Sequence, residues 1–553
     1  MKKKTIQLLL LVPMYISFKS FVNPLDNGRT YKKKDGKLYN SLSTDIPLGP
    51  LSLSSYLKKF LDVNVKLVDF NVELNHAEAF PYESFYDYCY DFLSQLKFFP
   101  DYIGVSSLFS PSYFNFLDCA KASRKIWPKS IIVGGGNIPT NSYKDIYAES
   151  DAKSFNALCF GEGEKPLLEL LKSKNKEKYF KESSSWITKD KLEKIPYFAP
   201  KHEFIENLDE IPFYDYDLID INRSSINPGI TRFSNLKNKT AFHIMTSRGC
   251  PFHCTFCASH KVHGRKMRYH SIQRINEDLK KLKKNYGADQ VVFQDDHLMS
   301  DKKRVYDILE IVKKLDLNSL YQNGLTLYAL DKPMLEAFYS AGVRHLVLPV
   351  ESGNEKVLKK FMKKPLKLKI SERVANDCRA LGIYTNTNIM IGLPGETKED
   401  IEETRLNLRK IKTNWFNIVC ASPLVGSEMH EIATLNDFIS NDIKGADFYT
   451  AVINTDKFSS EYIQKMQYLM NLELNFVYNQ DIALENYDLA LLGFHHVIEI
   501  RPDHAFAHYF AAKSYNFLKN KERYFYHKNK AEKFSKINLW KNWFEYFKLE
   551  SLN

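Results

Sequence analysis

The segment Thr246-Ser247-Arg248-Gly249-Cys250-Pro251-Phe252-His253-Cys254-Thr255-Phe256-Cys257 holds three of the eight cysteines of the chain within eight residues. It lies at the end of a strand-like apolar run, residues 241–247. Thiolates at the spacing Cys-x3-Cys-x2-Cys converge on a volume the size of one inorganic cluster, and three thiolates on a four-iron cube leave one iron without a protein ligand. We therefore predict a 4Fe-4S cluster on Cys250, Cys254 and Cys257, with one iron open to a small molecule.

A structural zinc ion is the alternative for the same cysteines. Structural zinc normally takes four protein ligands, and no fourth cysteine lies nearby in the sequence. Because His253 or His260 would complete a Cys3His set, this alternative stays open.

Downstream of residue 240, strand-like runs alternate with helix-like stretches. The predicted strands are residues 241–247, 290–295, 320–328, 345–351, 384–391 and 416–421. Six β/α units over roughly 180 residues are fewer than the eight of a full TIM barrel. We predict a partial, open (β/α)6 TIM-type barrel over residues 240–445.

The first 190 residues alternate in the same way, with shorter runs at 6–12, 65–70, 102–106, 131–133 and 157–160. This alternation predicts a parallel sheet with helices on both faces, which is a doubly wound, Rossmann-like α/β domain. Ligands bind such sheets at the carboxyl ends of the strands. Residues 1–12 imitate a signal peptide but lack a small-residue cleavage site, so we interpret them as a buried first strand.

Two further parts complete the chain. Residues 191–239 contain four prolines and no clear periodicity, which predicts a linker that wraps a neighbouring domain. Residues 446–553 are predicted to be helical, and 487–518 have the spacing of one tetratricopeptide-like unit. Residues 513–553 contain 10 Lys/Arg and 4 Asp/Glu, which we interpret as a solvated basic face rather than an RNA or lipid contact. A protein partner for this helical tail is a further expectation.

Composition sets the outer limits of these predictions. The 553 residues are 44% hydrophobic and 26% charged, which excludes a disordered or fibrous chain. The net charge of +12 is compatible with anionic partners without requiring them. Few cysteines for this length indicate a reducing compartment rather than a disulfide scaffold. With no apolar run near the roughly 20 residues of a membrane helix, we expect a cytoplasmic protein with no transmembrane segment.

Residues 246–257, with Phe256 before the third cysteine, closely resemble the cluster loop of radical S-adenosylmethionine (radical SAM) enzymes. The resemblance implies that the open iron binds the amino and carboxylate groups of S-adenosylmethionine. Val350-Glu351-Ser352-Gly353 resembles the family's ribose-binding segment. The resemblance implies that Glu351 accepts hydrogen bonds from the sugar hydroxyls and that Ser352 belongs to the same cofactor-binding segment. Residues 389–397, with Gly392 and Pro394, resemble the turn whose backbone meets adenine.

The family's glycine-rich pair after the second barrel strand, which holds the methionine amine, is missing here. Gln294-Asp295-Asp296-His297 stands in that place, as in many family members with a cobalamin domain. Two roles stay open for Asp295 and Asp296: binding the amine, or capping the next helix.

The first 190 residues resemble the cobalamin-binding domains of the same enzymes. Ser106, Leu108, Gly135 and Gly136 match the Ser-x-Leu and Gly-Gly pairs that flank the nucleotide tail of the cofactor, and residues 47–51 and 161–164 match the opening and closing segments. The Asp-x-His-x-x-Gly motif that supplies a histidine to cobalt is absent, and residues 66–71 read Lys-Leu-Val-Asp-Phe-Asn. The resemblance therefore implies either cobalamin without a protein imidazole below it or a degenerate domain that binds none.

The resemblance implies that a 5'-deoxyadenosyl radical drives methylation of a carbon or phosphorus centre in a small molecule, lipid or peptide. A reductant such as flavodoxin or ferredoxin is the expected partner, and no stable nucleic-acid complex is expected. The open alternatives are a cobalamin-type cyclisation or rearrangement, methylthiolation of transfer RNA, and a non-catalytic cobalamin- or redox-sensing binding protein.

Several other residues have simpler interpretations. Methylthiolation would need a second cluster, and Cys89, Cys119 and Cys159 are instead predicted to be buried thiols. We place Cys378 and Cys420 in the core and expect Lys363 and Lys364 to be solvated. The tail histidines are interpreted as surface or packing residues, namely His495, His496, His504 and His508.

Overall fold

The structure is a computed structural model that describes residues 4–24, 30–224, 240–439 and 450–552. Part of the predicted linker, residues 225–239, lies outside the described residues, as do residues 440–449 between the predicted barrel and tail.

A six-stranded sheet forms the centre of the first part of the chain. Its strand order is β4-β1-β5-β6-β7-β8, with all neighbours parallel except β7 and β8. Strands β2 and β3 form a separate antiparallel pair. The strand bounds are β1 Ile6–Val12, β2 Thr30–Lys32, β3 Leu38–Asn40, β4 Val63–Asp69, β5 Tyr102–Ser106, β6 Ile131–Gly135, β7 Ala157–Cys159 and β8 Trp186–Ile187.

Helices cover both faces of this sheet, as the alternation of strands and helices predicted. They are Phe18–Val22, Leu48–Phe60, Phe70–His76, Phe85–Ser94, Tyr113–Ile126, Asn137–Ala148, Glu164–Lys172, Lys176–Glu182 and Lys189–Lys194. Strand β1 is central, and Leu8 to Leu11 are at most 1% exposed. A strand buried on both faces reads as a continuous apolar run, which explains why this strand imitates a signal peptide.

Six parallel strands in chain order form the second part of the chain: β9 Ala241–Ile244, β12 Gln290–Phe293, β13 Asn318–Tyr321, β14 His345–Glu351, β15 Tyr384–Ile391 and β16 Trp415–Cys420. The strands form two ladders, β9-β12-β13 and β14-β15-β16, and β13 lies beside β14. A short antiparallel pair, β10 Ser247–Arg248 and β11 Arg268–Tyr269, follows β9. The predicted six-unit α/β architecture is confirmed.

Helices follow the strands of this partial barrel. They are His260–His263, Ile272–Tyr286, Lys302–Lys314, Lys332–Ser340, Leu368–Ala380, Lys398–Leu408 and Glu428–Leu435, with a π-helix at Val357–Phe361.

Two predicted strand bounds were wrong. The strand expected at 320–328 ends at Tyr321, because the chain turns at Gly324, which has a φ of 77° and lies against the backbone of Asp295 and Leu298. The strand expected at 241–247 ends at Ile244, since the next free amide, that of Thr246, bonds to the Asp295 carboxylate instead of a strand.

The described part of the linker packs against both α/β parts. Ile205, Leu208 and Ile211 are buried in the core beside β1 and β4. Tyr216 is buried in the barrel core, where its hydroxyl donates to the carbonyl of His243. The segment therefore crosses from one core to the other.

The last part of the chain is helical, as expected. Its helices are Ser460–Leu472, Gln480–Ala483, Tyr487–Ile500, Ala505–Phe517, Lys521–Phe534 and Asn538–Tyr546, with a π-helix at Glu473–Val477. Glu473 is fully buried and pairs with Arg405 and Arg409 of the barrel. No helix among the described residues is long and apolar enough to cross a membrane.

Candidate functional site

The three cysteines of the predicted cluster loop are free, half-buried thiols. Burial, together with the charges of Cys257, Asp296 and Cys254 and against the backbone of Phe252, raises the pKa of the Cys250 thiol to about 11. Burial also raises the pKa of Cys254, where Cys257 acts in the same direction and Lys364 opposes it. The three sulfurs therefore lie near enough on one loop for their charges to interact. Three thiolates on one loop are the donor set that a 4Fe-4S cluster with an open iron requires.

The structure does not decide between zinc and a cluster by the arrangement of ligands. In the described ranges, no group of three or more His, Cys, Asp or Glu side chains, the loop cysteines included, is arranged to hold a metal ion. His253 is exposed, and His260 begins the short helix that follows the loop.

Backbone contacts fix the cluster loop from both sides. A side chain at Gly249 would place its Cβ 2.4 Å from the carbonyl oxygen of Lys266, and the φ of Gly249 is 94°. Thr255, between Cys254 and Phe256, donates its amide to Met362 O at 3.1 Å and its hydroxyl to Phe361 O at 2.6 Å. The amide of Met429 donates to Thr255 O at 2.8 Å. Phe256 itself packs half-buried against the barrel core.

A buried ion cluster joins this loop to the N-terminal sheet domain. Arg248 lies 3.1 Å from the carboxylate of Glu162 and 2.7 Å from that of Glu164. Arg268 and His263 also bond to Glu162. Burial alone would raise the pKa of Glu162, but Arg248, His263 and Arg268 hold it well below its usual range. The sequence marked residues 161–164 only as a closing segment, because a contact across more than 80 residues leaves no local signal.

Asp295 has neither of the two roles that the sequence left open. It is fully buried and accepts hydrogen bonds from the amide and hydroxyl of Thr246 and from the hydroxyl of Ser247. It therefore ties the cluster loop to the end of β12, while Asp301 caps the next helix.

Asp296 has the opposite environment. Its Oδ2 is buried without a hydrogen-bond partner among the described residues, and its charge acts on Cys250. An unpartnered buried carboxylate oxygen beside the cluster loop fits a bound cationic group.

Glu351 ends β14 with a φ of 73°, at a shift in strand register. Its carboxylate lies 3.5 Å from the ammonium of Lys364, whose side chain is only 17% exposed. The expectation that Lys364 is solvated was wrong, because the turn after the π-helix folds it back toward Glu351 and Cys254. Ser352 is fully buried, and its hydroxyl already bonds to Thr404 and to the amide of Asn354.

The turn after β15 is organised by Glu396, a residue that the sequence analysis missed. Its Oε2 accepts the amides of Gly392 and Leu393, each at 2.7 Å. Burial raises the pKa of Glu396 to about 8. Gly392 has a φ of 89°, and Pro394 has no amide hydrogen to offer a ligand.

The residues predicted to flank cobalamin meet at the carboxyl edge of the sheet. Ser106 ends β5 and pairs with Gly135 of β6. A Cβ on Gly136, whose φ is 101°, would lie 2.5 Å from Ser107 O, so only glycine allows this approach of the two strand ends. Leu108 lies two residues after the end of β5 and is 49% exposed.

Asn71 occupies the place where the family motif has a cobalt-binding histidine. Its Oδ1 accepts the amide of Tyr15, and its Nδ2 donates to Pro13 O and to Asp69. The amide group is therefore fully used within the protein, at the ends of β1 and β4.

The remaining cysteines are buried, as expected. The sulfurs of Cys89 and Cys119 lie 3.9 Å apart between two helices, whereas Cys159 is on β7 with its sulfur near Glu162 O. Cys378 and Cys420 lie in the barrel core.

Two family models match the chain. Residues 244–408 match the radical SAM superfamily, and residues 41–171 match the B12 binding domain. Together the two matches cover more than half of the chain. The first contains the predicted cluster loop, and the second contains the strand ends at Ser106 and Gly135.

Two relatives and one solved structure extend these matches. An uncharacterized methyltransferase of Pyrococcus horikoshii is 26% identical, over 67% of this chain and 77% of that protein. Cytidylyl-2-hydroxyethylphosphonate methyltransferase of Streptomyces wedmorensis is 27% identical, over 60% of this chain and 66% of that protein. The cobalamin-dependent S-adenosylmethionine radical enzyme OxsB has the same fold, with a TM-score of 0.60 and 16% identity over 98% of this chain and 80% of OxsB.

Proposed function

We propose, from the membership of this chain in the cobalamin-dependent radical SAM enzymes, that it methylates an unactivated carbon or phosphorus centre of a small molecule, lipid or peptide. Its cofactors are a 4Fe-4S cluster, S-adenosylmethionine and cobalamin. Two relatives named as methyltransferases support this reaction. When bound, the cluster with S-adenosylmethionine supplies a 5'-deoxyadenosyl radical, and cobalamin supplies the methyl group.

Cys250, Cys254 and Cys257 hold the cluster in this proposal and leave one iron to S-adenosylmethionine. The methionine end of that molecule has one cationic and one anionic group. Asp296, with an unpartnered oxygen near Cys250, suits the ammonium group. Lys364, between Cys254 and Glu351, suits the carboxylate, and Glu351 is left to the ribose hydroxyls. The turn at Gly392 and Pro394 closes the adenine side.

Ser106, Leu108, Gly135 and Gly136 would hold the nucleotide tail of cobalamin at the edge of the sheet. Asn71 carries an amide rather than an imidazole, and this amide is used within the protein, so position 71 would supply no ligand to bound cobalamin.

The observation that carries the proposal is the ion cluster between the two cofactor sites. Arg248 precedes the first cluster cysteine by two residues and is bonded to Glu162 and Glu164, just after β7. A methyl donor on the sheet and a radical source on the barrel must face one substrate. A buried ion cluster of this kind holds the two sites at a fixed distance and orientation.

Methylthiolation of transfer RNA is not favoured. That reaction needs a second cluster, and the pair Cys89 and Cys119 is fully buried and apart from Cys159. A purely binding role is not favoured either, because the named relatives are methyltransferases.

The test is anaerobic reconstitution followed by analysis of iron, cobalamin and products. We expect about four irons per chain, as one cubane requires, together with retained cobalamin and formation of 5'-deoxyadenosine. Cys254→Ala should lose the iron chromophore, whereas the core variant Cys378→Ala should keep it. Zinc in place of iron, or no retained cobalamin, would contradict the proposal.

A further inference from the structure

A lysine-rich segment lies beside the predicted cluster loop. Residues 356–369 read Lys-Val-Leu-Lys-Lys-Phe-Met-Lys-Lys-Pro-Leu-Lys-Leu-Lys, with seven lysines and no acidic residue. We call these residues the lysine segment. The segment contains the π-helix Val357–Phe361, and its apolar side chains Val357, Leu358 and Met362 are fully buried in the barrel core. The backbone is therefore fixed, and the lysines are presented on a rigid support.

Three of the seven lysines have acidic partners within the protein. Lys356 pairs with Asp400, Lys363 with Glu428 and Lys364 with Glu351. The other four are exposed, and none of them forms an ion pair with a carboxylate in the described ranges: Lys359, Lys360, Lys367 and Lys369. The surface of the lysine segment therefore keeps a net positive charge, with the Glu355 carboxylate, which accepts the amide of Leu368, as an acidic neighbour.

The lysine segment touches the cluster loop directly. The carbonyl oxygens of Phe361 and Met362 accept the two hydrogen bonds of Thr255, the residue next to Cys254. The positive surface is thus separated from a predicted cluster ligand by only one layer of backbone.

We propose that the lysine segment docks an acidic flavodoxin, which reduces the cluster across the backbone of Phe361 and Met362. This inference rests on the proposed function. The anionic flavin hydroquinone gives up one electron and is oxidised by one electron, and the cluster is reduced from the 2+ to the 1+ level, so that no proton or bond changes. Encounters between redox proteins use small interfaces, and opposite charges steer them. A short rigid segment with four uncompensated lysines suits such an encounter.

The test compares two double variants with the same change in net charge. Lys359→Glu/Lys360→Glu replaces two positive charges of the lysine segment by negative ones. Lys519→Glu/Lys521→Glu makes the same replacement at two exposed lysines of the tail. Binding of a purified acidic bacterial flavodoxin is measured with the protein before and after cluster reconstitution. At low ionic strength we expect the Kd to rise about tenfold or more for the first variant only, and the difference should shrink at high salt.

The rate of cluster reduction is followed by the loss of its visible absorbance. The first variant should be reduced more slowly by flavodoxin hydroquinone but at the wild-type rate by dithionite. Equal effects of both variants, or no effect of either, would overturn the proposal. Loss of binding to a short RNA hairpin, with flavodoxin binding unchanged, would assign the surface to nucleic acid and also overturn it. If the wild type fails to bind iron, the proposed function is contradicted. The docking proposal is still tested in that case, because flavodoxin binding is also measured with the protein without cluster.

Discussion

Glu396 shows how one buried side chain sets the shape of a ligand-facing turn. Its carboxyl accepts the amides of Gly392 and Leu393, and its second oxygen is buried without a partner among the described residues. Both the neutral and the ionised carboxyl accept these two bonds, but burial favours the neutral form and raises the pKa to about 8. The turn is therefore held by a group whose charge state changes near neutral pH.

This difference in protonation predicts a pH dependence of stability. An unfolded glutamate has a pKa of about 4.3, so the folded state binds more protons between about pH 4.3 and 8. The contribution of Glu396 is complete below that window and is lost as the pH rises through it. We expect Glu396→Gln, which keeps the acceptor oxygen, to flatten the fall in Tm from pH 5 to pH 8 by a few degrees. An equal fall in both proteins would show that Glu396 is not the titrating group.

At the scale of elements, the ion cluster of Arg248, Glu162 and Glu164 links a loop of the barrel to the first helix after β7. Removing one charge from a buried pair leaves the other charge undercompensated. In Glu164→Gln, Arg248 keeps Glu162, so we expect a loss of about 2 kcal/mol in the free energy of unfolding. Hydrogen exchange should become faster in residues 246–257.

A matched control for this prediction lies at another element contact. Asp481 is fully buried and pairs with Arg379 at 2.6 Å, between the tail and the barrel. Asp481→Asn should lower the free energy of unfolding by a similar amount but leave exchange in residues 246–257 unchanged. Faster exchange of the loop in both variants would mean that the loop responds to general destabilisation rather than to its own anchor.

The elements themselves were largely predictable from the sequence. The run at residues 6–12 marks a buried strand because a parallel strand covered on both faces is predominantly apolar. The cysteine spacing located the candidate cluster loop, since all three ligands are local. Lys364 and Glu396 were missed, because their neighbours are determined by turns that no motif describes. The sequence left two roles open for Asp295 and gave no sign of its contacts, because its partners, Thr246 and Ser247, lie 49 and 48 residues away.

At the scale of the whole molecule, buried histidines occur in the barrel and in the helical tail, and those of the tail contact one another and the aromatic core. His504 lies between the rings of Phe476 and Trp540. The Nε2 of His508 lies 3.0 Å from Pro502 O, and its Nδ1 lies 2.9 Å from the Nδ1 of His527. Since a carbonyl only accepts, a neutral His508 has its proton on Nε2, and His527 must donate from Nδ1. This arrangement requires a neutral His508, whose Nδ1 accepts from His527.

Acid should therefore loosen the packing of the tail. Burial lowers the pKa of His504 and of His527 to about 3 and lowers that of His508, whereas an unfolded histidine titrates near 6.5. The stability that these rings contribute is present above about pH 6.5 and is lost as the pH falls toward 3. After correction for the intrinsic rate of exchange, which is lower at pH 5 than at pH 7, hydrogen exchange should show reduced protection across residues 487–534 at pH 5. His527→Gln should lessen this loss of protection, whereas the exposed His76→Gln should not. Unchanged protection of residues 487–534 at pH 5 would contradict this role of the buried rings.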